Sequence, residues 1–200
     1  DNRAPEDPEA YAAEIAAKLK ADVRMFSGCQ DCQTSADVHD VSSFGLPDAC
    51  GAGGACTNAM LLTLADAKPD TWLSLLKGMR QVLSTKSFSQ IPQLSTSHAI
   101  DVNSEFSLVN AESNGTSKAL MIGINYVGQQ GELAGCHNDV TAMQAHIAEN
   151  GYPSPEGENL KIIMDDGEHD APTRENIVAG FRWLVDGAKA GDSLFMHYSG

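Results

Sequence analysis

Basic side chains are scarce in this chain. It carries 13 Lys and Arg residues against 27 Asp and Glu residues, which gives a formal net charge of -14 at pH 7. Nucleic acids and anionic membrane surfaces would repel such a protein, so we expect neither as a partner. The same charge favours cationic partners such as basic peptides or divalent metals, although an acidic surface can also serve solubility alone.

Long apolar runs are also missing. No stretch approaches the roughly 20 consecutive apolar residues of a transmembrane helix. The opening residues Asp1, Asn2 and Arg3 are polar, unlike the start of a secretory signal peptide. With 42% apolar residues, the 200-residue chain can still build a packed core.

Cysteines are few and odd in number. The chain has five, and it is too large to need disulfide staples, so we expect free thiols in a reducing compartment, the cytoplasm. Cys29 and Cys32 have the spacing of half a zinc site, and Cys50 and Cys56 are candidates for the other half. The second pair is spaced more widely than zinc ligand pairs usually are, which favours ordinary buried and loop cysteines.

Short apolar runs alternate with helical patterns in the second half of the chain. The runs are residues 119–124, 160–164 and 193–198. The first intervening helix is predicted to begin near Asn138 or Asp139, and the second after Thr173 as its N-cap. Strands and helices that alternate in this way predict a parallel sheet with right-handed crossovers.

Polar residues follow each of these predicted strands. They are Asn125, Asp165 with Asp166, and Ser199. Because sites in parallel sheets lie beyond the carboxyl ends of the strands, we expect these side chains at one edge, near the loop that holds Cys136 and Asp139.

The first half of the chain has a different pattern. It predicts helices over residues 8–20, 57–67 and 71–84, strands over 23–27 and 91–94, and a Gly-rich loop over 40–54. Residues 111–117 contain no apolar side chain larger than Ala, which is typical of a linker.

Several motifs resemble metacaspases, a family of caspase-like cysteine peptidases. ALMIGINY (119–126), LAGCHNDV (133–140), PTRENI (172–177) and GDSLFMHYSG (191–200) resemble the large-subunit region of that family. FSGCQDCQTSAD (26–37), GAGGA (51–55) and IPQLS (91–95) resemble its small-subunit region. Together the two matches cover roughly residues 22 to 200.

The two regions stand in reversed order, as in the rearranged type III metacaspases. The resemblance implies a small-subunit-like region (1–110), a linker (111–117) and a large-subunit-like region (118–200) that is incomplete at its C-terminal end. Both would form one α/β domain of caspase-haemoglobinase type, a sandwich with a mainly parallel central sheet and helices on both faces. Such a permutation is physically permissible where the original termini lie close together. Residues 23–27 would then share a sheet with residues 119–124.

The resemblance also implies an activity. Metacaspases are cysteine endopeptidases that cut after Arg or Lys, are usually activated by calcium, and process themselves from zymogens. In the family the catalytic His directly follows the Tyr-Ser-Gly motif, which here ends at Gly200, and the nucleophilic Cys lies further on. We therefore expect neither of these residues in this chain, and not the calcium ligands either.

Two further possibilities concern partners. The part expected after Gly200 could be a separate partner chain. The alternative to a peptidase is a non-catalytic caspase-like module that binds partners through an acidic edge.

Three matched positions would line the pocket for the substrate's basic side chain. They are Cys136, Asp139 and Ser199, with Asp139 pairing with the Arg or Lys of the substrate. The structural alternatives are a helix N-cap for Asp139, a small buried side chain for Cys136 and a turn residue for Ser199.

Other polar residues are weaker candidates. His197 lies within a buried strand pattern and is expected to be a core or strand-end histidine rather than the catalytic one. A Cys136–His137 dyad is rejected, because adjacent residues rarely face each other. An acidic loop is predicted to be a solvated turn rather than a metal site; it contains Asp165, Asp166, Glu168, His169 and Asp170.

Overall fold

The computed structural model describes residues 7–45, 51–109, 115–152 and 157–200. The first part contains α1 (Pro8–Lys18), β1 (Arg24–Ser27), β2 (Asp37–Val38), β3 (Gly53–Gly54), α2 (Ala55–Leu62), α3 (Trp72–Thr85) and β4 (Gln93–Thr96). The second part contains β5 (Ser117–Gly123), α4 (Cys136–Glu149), β6 (Leu160–Met164), α5 (Arg174–Val185) and β7 (Ser193–Ser199). None of the described helices combines the length and the apolar character that crossing a membrane requires.

A three-stranded parallel sheet forms the centre of the second part, with strand order β6-β5-β7. Ile122 of β5 pairs with Ile163 of β6 and with Tyr198 of β7. The middle strand β5 is buried on both faces, which explains why its sequence is continuously apolar rather than alternating. The predicted α/β class with parallel strands is therefore confirmed.

Helices cover both faces of this sheet. Ala119 and Met121 point to the face where α4 contributes Val140, Met143 and Ile147. Leu120 and Ile122 point to the opposite face, where α5 contributes Leu184. The side-chain alternation of a β-strand thus divides β5 between two apolar clusters.

The first part of the chain packs on the α4 side. Leu61 of α2 belongs to the same buried cluster as Met121 and Met143. A second cluster holds α2 and α3 together, through Ala55, Ala59 and Leu83. The two parts of the chain therefore share apolar core.

The expectation that residues 23–27 share a sheet with residues 119–124 is wrong. β1 pairs antiparallel with β4, and β2 with β3, so each forms a separate two-stranded ladder. Within the described residues β7 is the last strand of the parallel sheet, and its outward side chains Leu194, Met196 and Tyr198 are 38%, 45% and 48% exposed. The first part reaches the second through side chains of α2 and the backbone of β3, not through a strand added to β7.

Helix α4 begins earlier than predicted. Its first residue is Cys136, and its N-cap Gly135 offers no side chain, so the cap role predicted for Asn138 or Asp139 is wrong. The Cys136 N–H is bound instead by the Asn125 side-chain oxygen at 2.9 Å, which satisfies one free donor of the first turn. The cap Thr173 of α5 is confirmed, and Thr71 caps α3.

Two other predicted boundaries shift. The helix predicted over residues 57–67 is α-helical only to Leu62 and continues as a π-helical turn, Thr63–Ala67. Of the predicted linker, residues 111–114 lie outside the described residues, as does Cys50, while Ser117 already belongs to β5.

Candidate functional site

The carboxyl ends of the parallel strands meet at one edge, as the sequence predicts. The Ile124 N–H donates to the Ser199 carbonyl at 2.9 Å, and the Asn125 N–H donates to Asp165 Oδ1 at 2.8 Å. Because the Asn125 side chain also accepts the Cys136 N–H, the first turn of α4 lies directly beside the ends of β5 and β7.

Asp139 lies at the centre of this edge and is only 2% exposed. The backbone N–H of Gly54 donates to both of its carboxylate oxygens, at 2.9 and 3.0 Å. Ser199 Oγ donates to Oδ2 at 2.7 Å, and Asn58 makes a longer contact of 3.5 Å with Oδ1. The carboxylate therefore connects both parts of the chain.

Burial dominates the electrostatics of Asp139. It raises the pKa of this carboxyl to about 6, although hydrogen bonds from Ser199 and Gly54 favour the ionised form. The negative charge of Asp37 raises the pKa further. None of the Lys or Arg residues that the structure describes forms an ion pair with Asp139, so the ionised carboxylate is buried without a counter-ion.

The thiol of Cys136 lies next to this carboxylate. Burial raises its pKa to about 11, and the hydrogen bond with Ser199 opposes that rise. Carboxylates close by raise the pKa further; they are Asp139, Asp37 and Asp165. A thiol in such surroundings stays protonated at neutral pH and is a neutral side chain rather than a nucleophile.

The structure thus brings the three predicted pocket residues together and adds one that the sequence did not single out. Asp37 opens β2, which pairs with β3 at Gly54, and its Oδ2 accepts the Ala134 N–H at 2.8 Å. Gly135 has to be glycine here, because a Cβ would lie 2.4 Å from the backbone Cα and N atoms of Gly53, and also 2.4 Å from Asp37 Oδ1. The available signal was the position of Asp37 at the end of the segment FSGCQDCQTSAD.

Gly200 follows β7 at the same edge, directly after the Ser199 that donates to Asp139. It has no side chain, so it is not itself a catalytic group. A Cβ there would lie 2.9 Å from the Tyr198 hydroxyl oxygen, which shows how closely this glycine packs. The catalytic His predicted directly after Gly200, and the nucleophilic Cys predicted further on, fall outside residues 1–200, so both positions stay predictions.

His137 turns away from Cys136 and binds Asp165, with Nε2 2.6 Å from Oδ1. Burial of Asp165 is outweighed by hydrogen bonds from Asn125, His137 and Val127, which lower the pKa of its carboxyl. The rejection of a Cys136–His137 dyad therefore agrees with the geometry.

The acidic loop after β6 forms a turn closed by its own hydrogen bonds. Asp166 Oδ1 accepts the N–H groups of Glu168 and His169, each at 3.0 Å, and Lys161 pairs with Asp170 at 2.9 Å. In the part of the chain that the structure covers, no three His, Cys, Asp or Glu side chains are grouped so that they could hold a metal ion.

The structure also describes the weaker candidates Cys29, Cys32 and His197. Cys29 and Cys32 are free thiols, and Cys29 Sγ donates to the Gln33 carbonyl at 3.3 Å. His197 lies half-buried on the edge strand β7, and burial of its imidazole lowers its pKa to about 4. Its Nε2 finds no hydrogen-bond partner among the described residues.

Comparison with protein families supplies the decisive observation. The model for "Metacaspase, peptidase C14 domain" matches residues 117–200, and the model for "Caspase domain" matches residues 4–103. The chain belongs to the metacaspase family. In this metacaspase, Cys136, Asp139 and Ser199 lie in the first match, while Asp37, Gly54 and Asn58 lie in the second. The site is therefore built where the two matched regions meet.

Named relatives agree with this membership. Metacaspase III c of Phaeodactylum tricornutum is 54% identical over 190 residues, which cover 91% of this chain and 56% of the relative. Metacaspase-1 of Mycosarcoma maydis is 40% identical over 118 residues, or 54% of this chain and 28% of the relative. Metacaspase-1A of Aspergillus oryzae is 51% identical over 89 residues, or 43% and 20%. The metacaspase chain thus spans between about a fifth and just over half of the length of these relatives.

Proposed function

We propose that the protein containing this chain is a cysteine endopeptidase that cuts after Arg or Lys, and that this chain supplies the pocket for that basic side chain. Membership of a cysteine peptidase family supports the class of reaction. The observation that carries the specificity is the buried carboxylate of Asp139, which has no cationic partner among the described residues and lies at the edge where the strands end.

Each pocket residue has a defined part in this proposal. The Gly54 N–H and the Ser199 hydroxyl orient the Asp139 carboxylate and keep it ionised, against the opposing effect of burial. An incoming guanidinium or ammonium provides the missing positive charge, and such charge-assisted hydrogen bonds are roughly twice as strong as neutral ones. The Cys136 thiol lines the pocket as a small, uncharged side chain. Holding the basic side chain in this way fixes the position of the bond to be cut.

The bond-breaking groups belong to the remaining part of the protein in this proposal, beginning with a His directly after Gly200. The His takes the proton of the Cys thiol, and the resulting thiolate attacks the peptide carbonyl. The C–N bond breaks as the His gives that proton to the leaving amine, and water then hydrolyses the thioester. Backbone N–H groups stabilise the oxyanion in both steps. The caspase-domain match precedes the metacaspase-domain match in this chain, and Metacaspase III c matches 91% of it, which supports the type III order.

Calcium activation and zymogen processing are part of the same proposal. Calcium prefers six to eight oxygen ligands. The described residues contain no group of acidic side chains that fits a metal ion, so its site is proposed in the rest of the protein. No step at the Asp139 pocket depends on calcium.

The test is hydrolysis of peptide reporters that end in Arg, Lys or Asp by the full-length protein, with and without calcium. We expect calcium-stimulated cleavage after Arg and Lys but not after Asp. In Asp139→Ala, kcat/KM for the Arg reporter should fall by about a hundredfold, because a buried charge pair is lost. Asp66→Ala removes an exposed carboxylate and is the matched control.

Two results would contradict the proposal. Cleavage after Arg by Asp139→Ala at near wild-type efficiency would show that the pocket is elsewhere. Binding of basic peptides without hydrolysis of any reporter would favour the non-catalytic interaction module instead.

A further inference from the structure

Basic residues are unevenly distributed along the chain, and a peptidase that cuts after Arg or Lys can cut itself only where they occur. Residues 87–117, which run from α3 to β5 and include the predicted linker, contain neither Lys nor Arg. The two lysines that border this span are held by the fold. The Lys86 ammonium binds the Ser43 carbonyl, and Lys118 lies within β5 and binds the Trp183 carbonyl. The connection between the two parts of the chain therefore offers no site for self-cleavage.

One stretch with basic residues is exposed throughout. Residues 17–25 run from the end of α1 into β1, and each of them is exposed. Within the described residues, α1 contributes no side chain to the three buried clusters, and its Tyr11 is 52% exposed. An 11-residue helix without such packing is marginally stable, so α1 opens locally at little cost in free energy. Peptidases cut chains that open in this way.

The boundary between weakly held and firmly held residues falls at Lys20. The carbonyl of the next residue, Ala21, accepts the Ser97 hydroxyl at 3.3 Å. The Val23 N–H donates to Ser97 Oγ at 2.8 Å, and the Ser97 N–H donates to the Val23 carbonyl at 2.9 Å. Lys20 itself is exposed and forms no hydrogen bond or ion pair in the part of the chain that the structure describes. A cut after Lys20 thus detaches α1 and leaves the new N-terminus anchored.

The basic residues on either side of Lys20 are held more firmly. Lys18 is the last residue of α1, and its Nζ lies 2.6 Å from Glu14 Oε1. Arg24 belongs to β1, and its guanidinium lies 2.5 Å from Asp22 Oδ2 and over the ring of Trp72. Neither side chain is free to enter the pocket of another molecule.

Basic residues in the other described loops are also poorer sites. The Lys189 N–H donates to Asp192 Oδ2 at 2.8 Å, and the Asp192 N–H donates to the Lys189 carbonyl at 3.1 Å, which closes the loop between α5 and β7. The bond after Lys68 leads to Pro69, whose ring fixes φ and removes the N–H. The remaining described Lys and Arg residues lie within α3, α5 and β6.

We propose that the peptidase processes itself after Lys20, so that α1 is removed and the two parts of the chain stay covalently joined. This inference rests on the proposed function, which supplies cleavage after a basic residue. One water molecule is consumed when the peptide bond between Lys20 and Ala21 breaks. Lys20 becomes the carboxyl end of the released segment, and Ala21 carries the new amino group.

The experiment incubates the full-length protein with calcium and identifies its products by intact mass and N-terminal sequencing. We expect a product that begins at Ala21 and no product cut within residues 87–117. Lys20→Gln should lose the Ala21 product, while its urea unfolding stays as in the wild-type protein because Lys20 is exposed. Lys20→Arg should retain the product. Lys18→Gln, the matched control, removes an exposed positive charge two residues earlier and should retain it too.

The inference is overturned if Lys20→Gln still yields the Ala21 product, or if Asp139→Ala yields it at the wild-type rate, because another activity then makes the cut. Wild-type products that begin elsewhere in the described ranges, without the Ala21 product, would also overturn it. Hydrolysis of the Arg reporter without the Ala21 product would refute self-processing after Lys20 and leave the proposed function intact. If the wild-type protein cuts neither the reporters nor itself, the proposed function itself fails.

Discussion

Asp139 and His197 are both shielded from solvent, and burial moves their pKa values in opposite directions. It raises the pKa of the Asp139 carboxyl to about 6 and lowers that of the His197 imidazole to about 4. In both cases burial favours the neutral form. At neutral pH, His197 is therefore neutral in its preferred state, whereas Asp139 is held ionised at a cost in stability.

We expect Asp139→Asn to gain stability relative to the wild-type protein as the pH rises. The folded pKa of Asp139 lies above its unfolded value of 3.8, so its contribution to stability is complete below pH 3.8 and is lost as pH rises through about 6. The free energy of unfolding of the variant, relative to wild type, should rise by about 2 to 3 kcal/mol between pH 4 and pH 7.5.

Urea unfolding of both proteins at the two pH values measures this difference. A relative stability that does not change with pH would show that Asp139 is not ionised at a cost. The same variant should lose cleavage after Arg, so stability and substrate binding place opposite demands on this residue.

His197→Gln should make the protein less sensitive to acid. The folded pKa of about 4 lies below the ordinary value of 6.5, so protonation favours the unfolded state and stability falls as pH drops from about 6.5 towards 4. Removing the imidazole should abolish about 2 to 2.5 kcal/mol of that loss between pH 7 and pH 4.5. Urea unfolding at pH 7 and pH 4.5 measures it, and exposed His39→Gln, the control, should keep the wild-type pH dependence.

The sequence identified individual site residues only where a recognisable motif contains them. Cys136 and Asp139 share the first turn of α4, and Ser199 ends the neighbouring strand β7, so a prediction of parallel strands was enough to place them together. Asp37 was not predicted, because it reaches the site only through the pairing of two-residue strands that have no periodicity to detect.

At the scale of elements, local signals located most helices and strands. β6 follows its apolar run without a shift, and Thr173 caps α5 as its sequence predicts. The start of α4 was mispredicted because its first N–H is bound by Asn125, a residue in a loop before the helix. A contact of this kind leaves no mark in the sequence of the helix itself.

Gly54 joins the short strand β3 to helix α2, and we expect Gly54→Ala to disturb the site. Its φ of -69° suits any residue, so the backbone does not oppose the change. The added Cβ would lie 2.5 Å from Asp139 Oδ2, which has to move out of reach of the Gly54 N–H. Overpacking of this kind costs about 1 to 3 kcal/mol.

Urea unfolding and hydrolysis of the Arg reporter should both report this change, the first as lower stability and the second as a higher KM. Gly157→Ala is the control, because a Cβ there would meet no atom within 4 Å. Wild-type behaviour of Gly54→Ala would mean that the Asp139 contact with Gly54 contributes little.

At the scale of the whole molecule, the two parts of the chain share a core, and we expect them to unfold together. Leu61 of α2 packs with Met121 and Met143 of the second part. The two tryptophans, Trp72 and Trp183, report separately on the first and second part. Their fluorescence transitions, followed in Trp183→Phe and Trp72→Phe, should coincide in urea, as a two-state transition requires.

Leu61→Ala tests the shared core directly. It should shift both transitions to lower urea by an amount that corresponds to about 2 to 4 kcal/mol, since a buried leucine is truncated. Exposed Leu19→Ala, on the C-terminal side of α1, should leave both transitions in place. A shift confined to Trp72 would show that the two parts unfold independently.

The arrangement of sheets could not be predicted from the sequence. The short strand β1 carries the right residues for a strand, but nothing in them decides between β4 and β7 as its neighbour. Strand order depends on which surfaces remain available after the helices have packed, which is a property of the entire molecule. The resemblance to the family predicted one sheet, whereas the described residues form three separate sheets.

The two parts of the chain meet through the Gly54 N–H, the Asp139 carboxylate and packed apolar side chains. This kind of contact affects how genes for such proteins can rearrange. No strand of one part is hydrogen-bonded into a sheet of the other within the described ranges. The order in which the two segments are encoded therefore has little influence on the contacts that form between them. Recombination can exchange the order of the two segments, or replace one with the corresponding segment of a related gene, as long as the Gly54 N–H still reaches the Asp139 carboxylate.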